Sequence, residues 1–254
     1  MRGNNLKGII EMKKLIMLIC SICFCIAVTG AASTVLASPY GSGFTFDDID
    51  FWVGEGESQS ALVIEWEQGG GTLTLAWGYS FNEAGWWTDD DPVYGVDMLR
   101  AIGQGLNKNN EIISTGADPR LYVVYNQTHS SLGESIYGFG YDVDNDGFTY
   151  VPGEGEDGTA GDPDDVYIEG WYSGYWSYWV SDDGGSYDYS GLGVSSRELK
   201  DDFWDGWRFS GSAGYGSGSP PGIPVAAAPV PIPGAVLLFG SGLAGLIGIK
   251  RRRQ

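Results

Sequence analysis

The amino-acid sequence predicts an α+β domain whose main part is an antiparallel or mixed β-sheet carrying one helix. Its 254 residues include 41 glycines, 15 tyrosines, 10 tryptophans and 10 phenylalanines, a composition typical of strands joined by tight turns. Several segments alternate apolar with polar residues, which indicates strands, and one segment has the helical period of about 3.6 residues. The order is a hairpin, a helix and then further strands, which favours the α+β class; a β-sandwich is the alternative.

The first two predicted strands form a hairpin. In "ALVIEWEQ", the side chains of Leu62, Ile64 and Trp66 share one face. In "TLTLAWGYSF", apolar residues alternate with small or polar residues along the whole segment, which is the pattern of a half-buried strand. The "QGGGT" between the two segments predicts the hairpin connection.

The segment "VDMLRAIGQGL" predicts the one helix. Leu99, Ile102 and Leu106 lie on one helical stripe, and Asp97 stands near the start, where an acidic residue favours the helix dipole. Two glycines weaken the second half of this helix by about 1 kcal/mol each relative to alanine.

Four later segments predict further strands. "LYVVY" is apolar throughout and indicates a central strand. "IYGFGYDV" and "GYWSYWVSD" alternate again, and "GWRFS" predicts a short closing strand. Trp176 and Trp179 fall on opposite faces of their strand, so we expect one of them to face outward.

The N-terminal residues 1–37 predict a secretory signal peptide with its apolar helix. Two lysines precede the apolar run "LIMLICSICFCIAVTG", and Val35 and Ala37 are the small residues that a signal peptidase reads. Cleavage is expected after Ala37; a true transmembrane anchor is the alternative. All three cysteines lie in this segment, so the mature chain is expected to have no disulfide, thiolate metal site or cysteine nucleophile.

The remaining chain divides into three parts. Residues 38–210 form an acidic, β-rich domain, and residues 211–228 are rich in glycine, serine and proline, which predicts a linker. Residues 229–254 form a tail that starts with prolines, continues with the 16-residue apolar run "GAVLLFGSGLAGLIGI" and ends in a basic cluster. The residues that define the two ends of the tail are Pro229, Pro231 and Pro233, and Lys250, Arg251, Arg252 and Arg253.

The tail predicts a transmembrane helix that serves as a removable address. Sixteen residues are fewer than the roughly 20 that span a bilayer comfortably, and the glycines make a poor permanent anchor. The basic cluster holds the end of the helix on the cytoplasmic side. A permanent anchor is the alternative.

The three-part tail resembles the C-terminal sorting signals of PEP-CTERM exported proteins, in the variant with a Val-Pro-x-Pro entry. This resemblance implies recognition by an exosortase, transient anchoring in the inner membrane, and cleavage near the proline motif. It also implies release or transfer to the cell surface of a Gram-negative host that often produces exopolysaccharide. Signal peptidase, an exosortase and exopolysaccharide are therefore the expected partners.

The body of the chain also resembles known domains. "FWVGEGESQSALVIEW", "LAWGYSF", "GFGYDVDNDGF" and "GYWSYWV" together resemble a recurrent secreted domain found ahead of such sorting signals. The order of hairpin, helix, "GYWSYWV" and closing strand loosely resembles the β-grasp domains at the C-terminus of cobalamin carriers. Neither resemblance implies a catalytic activity or a binding residue.

The charge of the body excludes nucleic acid as a partner. The chain has 14 basic and 33 acidic residues, but eight of the basic residues and only one acidic residue lie in the two end segments. Such an acidic surface repels phosphates and anionic lipid. It suits cations or a hydrated polysaccharide matrix.

The segment "DVDNDGFTYVPGEGED" predicts a calcium site. Aspartates at alternate positions followed by Gly147 match the first half of an EF-hand loop, in which carboxylates converge on one Ca²⁺. The twelfth position is Gly153, and Glu154 follows one residue late. The predicted ligands are Asp142, Asp144, Asp146 and Glu154, and further acidic residues could complete an irregular site: Glu156, Asp157, Asp162, Asp164 and Asp165. The alternative is an acidic hairpin turn.

Exposed aromatic residues are the second candidate site. Trp86 and Trp87 fall in a predicted loop, and Trp179 faces away from Trp176, so these three are candidates for stacking on a glycan or a corrinoid. The alternative is that the tryptophans pack in the core.

Catalytic residues are scarce. His129, beside Ser130 and Ser131, is the only histidine, so a histidine-rich metal site is excluded and any triad would depend on it. Glu65 and Glu67 would lie about 7 Å apart on one strand face, a separation that glycosidases use, but a polar outer face gives the same pattern. We therefore expect an exported, non-enzymatic surface or matrix protein; a ligand-binding module is the alternative.

Overall fold

The computed structural model describes residues 38–83, 91–107, 112–114, 116–126, 134–154, 157–170, 172–211 and 218–229. The predicted signal peptide with Ala37, and the tail beyond Pro229, lie outside the described residues. Pro231, Pro233 and the basic residues 250–253 are therefore not described. Within the described ranges no helix has the length and the apolar character of a membrane span.

The described structure is mainly β-sheet with one short α-helix, as the sequence predicts. The strands are β1 (Trp52–Gly54), β2 (Ser58–Gln68), β3 (Gly71–Phe81), β4 (Gln104–Asn107), β5 (Ile112–Ser114), β6 (Leu121–Asn126), β7 (Ser135–Tyr141), β8 (Tyr150–Val151), β9 (Thr159–Ala160), β10 (Val166–Glu169), β11 (Gly174–Ser181), β12 (Asp188–Tyr189), β13 (Phe203–Gly211) and β14 (Val225–Ala226), and helix α1 is Gly95–Ile102.

The larger sheet has the strand order β1-β3-β2-β13-β11-β12, with β14 also beside β3. Strands β2 and β3 form the predicted antiparallel hairpin, and its turn uses Gly69 and Gly70 at φ 64° and 83°, values that favour glycine. Strand β13 is parallel to β2 and antiparallel to β11, so the sheet is mixed. The prediction that "GWRFS" is a short closing strand is wrong, because β13 has nine residues and lies inside the sheet.

The smaller sheet has the order β10-β7-β6-β4-β5, and a separate two-stranded hairpin joins β8 to β9. Strand β6 lies between β7 and β4, which confirms that "LYVVY" is a central strand. Strands β4 and β6 are parallel, and β6 and β7 are antiparallel.

Helix α1 is shorter than predicted. Asp97 stands in its first turn, as predicted, and its carboxylate accepts the backbone N–H of Tyr94 at 2.9 Å. The helix ends at Gly103, and Leu106 lies in strand β4 rather than on the helix, so this part of the prediction is wrong. A Cβ at Gly103 would lie 2.9 Å from Leu121, so the chain approaches β6 too closely there for a larger residue.

A shared core lies between the two sheets. The larger sheet contributes Leu62, Ile64 and Trp66, and the smaller sheet contributes Val123 and Phe139, all fully buried. The indole N–H of Trp66 donates to the carbonyl of Phe139 at 3.0 Å, which links the sheets directly. Apolar residues of α1 complete this cluster: Val96, Met98, Leu99 and Ile102.

The outer face of the larger sheet is also covered. Phe44, Phe46 and Ile49, from the segment before β1, pack on this face, and the ring centroids of Phe46 and Trp204 are 4.6 Å apart. Trp179 is buried in the same cluster. The expectation that Trp179 is an exposed aromatic residue is therefore wrong, because its ring is buried in this cluster and lies edge-on to Tyr189 with centroids 5.4 Å apart.

The described part of the predicted linker, from residue 218 onward, belongs to the folded domain. Strand β14 pairs with β3, Ala227 is fully buried, and its N–H donates to the carbonyl of Ala76 at 2.9 Å. The N–H of Gly222 donates to the carboxylate of Glu65 at 2.5 Å. The separation at 211–228 into a free linker is therefore wrong from residue 218 onward, because backbone pairing and burial fix this segment to the sheet.

A buried ion pair between Asp118 and Arg120 connects the β2–β3 hairpin to this C-terminal segment. Asp118 is fully buried and accepts from the Nε of Arg120 at 2.9 Å and from the indole N–H of Trp77 at 2.9 Å. Arg120 also donates to the carbonyl of Ala228, and its guanidinium lies 5.1 Å from the ring centroid of Tyr141.

A second buried carboxylate is that of Asp205 on β13. Asp205 accepts from the hydroxyl of Tyr178 at 2.5 Å and from the Nε of Arg197 at 3.4 Å. Burial raises the pKa of Asp205 to about 6, although Arg197 and Tyr178 act in the opposite direction.

We expect Asp118→Ala to lower the free energy of unfolding by about 3–5 kcal/mol, because it leaves the buried Arg120 without its partner. The control is Glu198→Ala, which breaks the half-exposed pair with Lys200 at 3.5 Å and should cost less than about 1 kcal/mol. Urea denaturation at neutral pH measures both values. Equal effects of the two substitutions would contradict the structural role of Asp118.

We expect Asp205 to make stability depend on pH. Since its folded pKa is raised, its charged form disfavours folding above about pH 6, and this penalty disappears as the pH falls toward 4. The substitution Asp205→Asn should remove on the order of 1 kcal/mol of the stabilisation that the protein gains between about pH 7.5 and pH 5. Urea denaturation at both pH values tests this. The exposed Asp188→Asn is the control, and identical pH profiles of the two variants would rule out the effect.

Candidate metal centre

The predicted calcium loop begins where strand β7 ends. Asp142 is buried, and its carboxylate accepts the backbone N–H groups of Asn145, Asp146 and Gly147 at 2.5, 3.2 and 2.9 Å. Asn145 and Gly147 have φ values of 62° and 123°, and this left-handed backbone lets the chain fold back over Asp142. An aspartate that binds the following N–H groups is the usual way in which such a turn forms.

Three carboxylates converge in this loop. One oxygen each from Asp142, Asp144 and Asp146 lies within 4.8 Å of the other two, and the last two residues are exposed. Repulsion, mainly from Asp144, raises the pKa of Asp146. Ca²⁺ binds oxygen ligands at about 2.3–2.6 Å, so ligands on opposite sides of one ion are about 5 Å apart. The spacing of the three carboxylates therefore fits one Ca²⁺.

A fourth carboxylate reaches the loop from the neighbouring strand. Val166, the first residue of β10, pairs with Tyr141, the last residue of β7, so Asp165 and Asp142 extend from adjacent strand ends. Asp165 is only 2% exposed. Its Oδ1 accepts the N–H of Val143 at 3.2 Å, whereas its Oδ2 has no hydrogen-bond partner in the described part of the chain.

The environment of Asp165 disfavours its charge. Burial, together with the negative charges of Asp142, Asp162 and Asp144, raises the pKa of Asp165 to about 6, against the hydrogen bond from Val143. A buried carboxylate oxygen without a partner is unusual, because its desolvation is not compensated. The three carboxylates that converge do not include Asp165, but a cation that also contacted the Oδ2 of Asp165 would supply its missing partner.

The chemistry of the donors indicates the kind of ion. All candidate ligands are carboxylates with hard oxygen atoms, which suit Ca²⁺ and Mg²⁺ rather than metals that prefer nitrogen or sulfur. The irregular loop favours Ca²⁺, since Mg²⁺ requires nearly ideal octahedral geometry.

The fourth predicted ligand, Glu154, is not part of this cluster. The chain leaves the loop to form β8, and Glu154 follows it as an exposed residue outside the group of converging carboxylates. Asp165 also lies outside that group, but its carboxylate contacts the loop through the N–H of Val143. The sequence placed Asp165 only among the acidic residues that follow the loop, because the pairing of β7 with β10 cannot be read from spacing.

The other candidate residues do not form a second site in the described structure. Trp86, Trp87 and His129 lie outside the described residues, and Trp179 is buried. Glu65 is buried, and its two oxygens bind the Nε of Arg208 at 2.8 Å and the N–H of Gly222. Glu67 binds the same guanidinium at 2.8 Å. These glutamates therefore hold β13 and the C-terminal segment in place.

Comparison with known proteins adds no relative: no family model matches the chain, and no match was found among curated proteins or solved structures. The function must therefore be argued from the chemistry of the site itself.

We expect millimolar Ca²⁺ to raise the unfolding midpoint of the protein relative to a buffer with EDTA. The stabilisation should approach about 2.7 kcal/mol when Ca²⁺ is about 100 times its dissociation constant. Asp165→Asn should weaken Ca²⁺ binding about tenfold or more, while Glu154→Gln should leave it unchanged. Isothermal titration calorimetry measures the affinities, and differential scanning calorimetry measures the midpoints.

The stability of the variants without metal shows whether Asp165 is a metal ligand or a structural residue. In EDTA, Asp165→Asn should not destabilise the protein, because it removes an uncompensated buried charge. An unchanged midpoint of the wild-type protein in millimolar Ca²⁺, or equal effects of Asp165→Asn and Glu154→Gln on binding, would show that the site does not hold calcium as described.

Proposed function

We propose that this protein is an exported, calcium-stabilised and non-enzymatic component of the cell surface or the extracellular polysaccharide matrix. The observation that carries the calcium part is the convergence of Asp142, Asp144 and Asp146, together with the buried Oδ2 of Asp165, which has no hydrogen-bond partner among the described residues. Extracellular calcium modules bind in the range of about 10⁻⁴–10⁻³ M. A body without cysteines has no disulfide to stabilise it outside the cell, so a bound ion would supply that stabilisation.

The acidic character of the body supports a place in a hydrated matrix. The formal net charge of the whole chain is −19, and the body without its basic ends is more acidic still. A strongly charged surface keeps a protein soluble and repels anionic lipid and nucleic acid. The engagement of Glu65 and Glu67 by Arg208 supports a non-enzymatic role, since this carboxylate pair is not free to act on a substrate.

The sorting part of the proposal rests on the sequence of the tail. Signal peptidase would remove residues 1–37, and an exosortase would cleave near the proline motif at 229–233. The folded domain extends to Ala228, whose carbonyl accepts from Arg120, so the proline motif would follow the domain directly. The β-grasp-like order of elements is part of this proposal and supplies no binding residue.

The alternative is a module that binds a glycan or a corrinoid through exposed aromatic residues. Burial of Trp179 removes one of its three candidates, and the other two, Trp86 and Trp87, lie outside the described residues. We therefore place the surface or matrix role first.

Mass spectrometry of the protein recovered from the surface of the producing cell tests the sorting part. We expect the mature chain to begin at Ser38 and to end within or near residues 229–233. A double variant, Pro231→Ala with Pro233→Ala, should remain in the inner membrane with its tail intact. A wild-type mature protein that retains residues 250–254 would establish a permanent anchor instead.

A further inference from the structure

A short hairpin covers the outer face of the smaller sheet, directly after the carboxylate loop 142–147. Strands β8 and β9 form this hairpin, and the N–H of Gly161 donates to the carbonyl of Thr149 at 2.7 Å. We call its residues 148–151 and 158–161 the arm. The arm belongs to the connection between β7 and β10, so it begins at the candidate calcium site.

Two glycines of β7 make room for the first aromatic ring of the arm. A Cβ at Gly140 would lie 2.7 Å from the ring of Phe148 and 3.0 Å from that of Tyr167, and one at Gly138 would lie 2.8 Å from the hydroxyl of Tyr167. The ring of Phe148 stacks on Tyr122 of β6, with centroids 4.2 Å apart and an interplanar angle of 26°. The start of the arm therefore packs closely on the sheet.

A buried carboxylate of β10 fastens the rest of the arm. Glu169 is 7% exposed, and it accepts from the hydroxyl of Tyr150 at 3.0 Å and from the N–H of Gly158 at 2.9 Å. Glu169 also accepts from the hydroxyl of Tyr167 at 3.1 Å, and the rings of Tyr150 and Tyr167 lie edge-on with centroids 5.2 Å apart. Tyr167 is nearly fully buried on the outer face of the sheet, because the arm covers it.

The root of the arm is the turn that brings the carboxylates together. The N–H of Gly147 donates to the carboxylate of Asp142 at 2.9 Å, and Phe148 follows directly. Asn145 and Gly147 have left-handed backbone, which this turn requires. The position of Phe148 on the sheet thus depends on the same turn that forms the candidate calcium site.

Without a cation, the charges of the loop oppose this turn. Oxygens of Asp142, Asp144 and Asp146 converge within 4.8 Å of one another, and like charges at such distances repel. Opening of the turn would separate them. A bound Ca²⁺ would replace this repulsion by attraction of each carboxylate to the ion. It would therefore hold the arm through its root, although its ligands lie in the loop and not in the arm.

We propose that calcium controls the docking of the arm: the bound ion holds the arm on the sheet, and loss of the ion lets it open and expose Tyr167 and Glu169. The inference rests on the calcium site proposed above. An opening that breaks the turn also breaks the site, so calcium at about 100 times its dissociation constant should suppress this opening about 100-fold. Because such coupling is reciprocal, a weakened arm should also weaken calcium binding. The exposure of this face would then follow the calcium concentration outside the cell.

Hydrogen exchange of the purified full-length chain, read by mass spectrometry in Ca²⁺ and in EDTA, tests the control of the arm. With Ca²⁺ at about 100 times its dissociation constant, the amides of the arm should exchange about 100-fold more slowly than in EDTA. The matched control is β14, which is also a two-residue strand but lies on the larger sheet, where the N–H of Ala227 donates to Ala76. Its amides should change much less. Equal slowing of both segments would show that calcium acts on global stability alone, and would overturn the proposal.

A substitution in the arm tests the reciprocal effect. Phe148→Ala removes the ring that lies over Gly140 and takes no oxygen ligand from the loop. Because only molecules with the arm docked bind calcium fully, the dissociation constant should rise about three- to tenfold. The matched control is Tyr79→Ala, which removes a half-buried ring stacked on Phe81 at 5.5 Å in the larger sheet. Isothermal titration calorimetry measures both affinities, and the same affinity in the two variants would contradict the coupling.

A milder variant guards against misfolding of Phe148→Ala. Tyr150→Phe keeps the ring and removes only the hydroxyl that binds Glu169. In EDTA the amides of the arm should exchange about three- to tenfold faster than in the wild-type protein, as expected for the loss of one hydrogen bond to a charged group. The amides of β14 should keep their rate. An arm that exchanges at the wild-type rate in this variant would show that Glu169 does not fasten it.

Failure of the calcium site and failure of this inference give different results. If the wild-type protein shows no binding of Ca²⁺ by calorimetry, the calcium site and the control of the arm are both wrong. If Ca²⁺ binds but the arm exchanges at the same rate in Ca²⁺ and in EDTA, the calcium site stands and only the control of the arm is overturned.

Discussion

The buried ion pair between Asp118 and Arg120 connects helix α1, the β2–β3 hairpin and the C-terminal segment. The N–H of Asp118 donates to the carbonyl of Ile102 at 2.7 Å, at the end of helix α1, and its carboxylate accepts from Trp77 on the hairpin. Arg120 adds the carbonyl of Ala228, next to β14. Bringing two charges into the interior is unfavourable unless further hydrogen bonds satisfy them, and both members of this pair have such bonds.

Arg120 also anchors the loop that carries Asp142, Asp144 and Asp146. The N–H of Asp142 donates to the carbonyl of Arg120 at 2.9 Å, and Tyr141, directly before the loop, lies under the Arg120 guanidinium. The first carboxylate of the loop is thus fixed by the backbone of β7 and by Arg120 before any ion binds. A cation that joins Asp142 to Asp165 would tie the ends of β7 and β10 together. It would thereby stabilise the side of the smaller sheet on which the ion pair and the docked C-terminal segment depend.

Sequence reasoning succeeded where the pattern was local. The β2–β3 hairpin, the central strand β6, the role of Asp97 at the helix start and the three aspartates at alternate positions all follow from spacing within one segment. It failed where a partner lies far away along the chain. Asp165 is brought to the loop by strand pairing, and Trp179 is buried in a cluster that includes residues more than a hundred positions earlier. The apolar stripe predicts a helix as far as Leu106, but the helix ends at Ile102, where Gly103 approaches β6 closely.

The pairing of charges among the described residues supports a calcium site more specifically than the composition does. Every basic side chain of the described residues is already paired with a carboxylate: Arg100 with Asp97 and Glu134, Arg120 with Asp118, Arg197 with Asp182 and Asp205, Lys200 with Glu198, and Arg208 with Glu65 and Glu67. No described cation of the protein therefore remains for the carboxylates of the loop. Because Asp142 and Asp165 are buried, water and salt screen their repulsion less well than at the surface. Their negative charge must be compensated by protonation, as the raised pKa of Asp165 indicates, or by a metal ion.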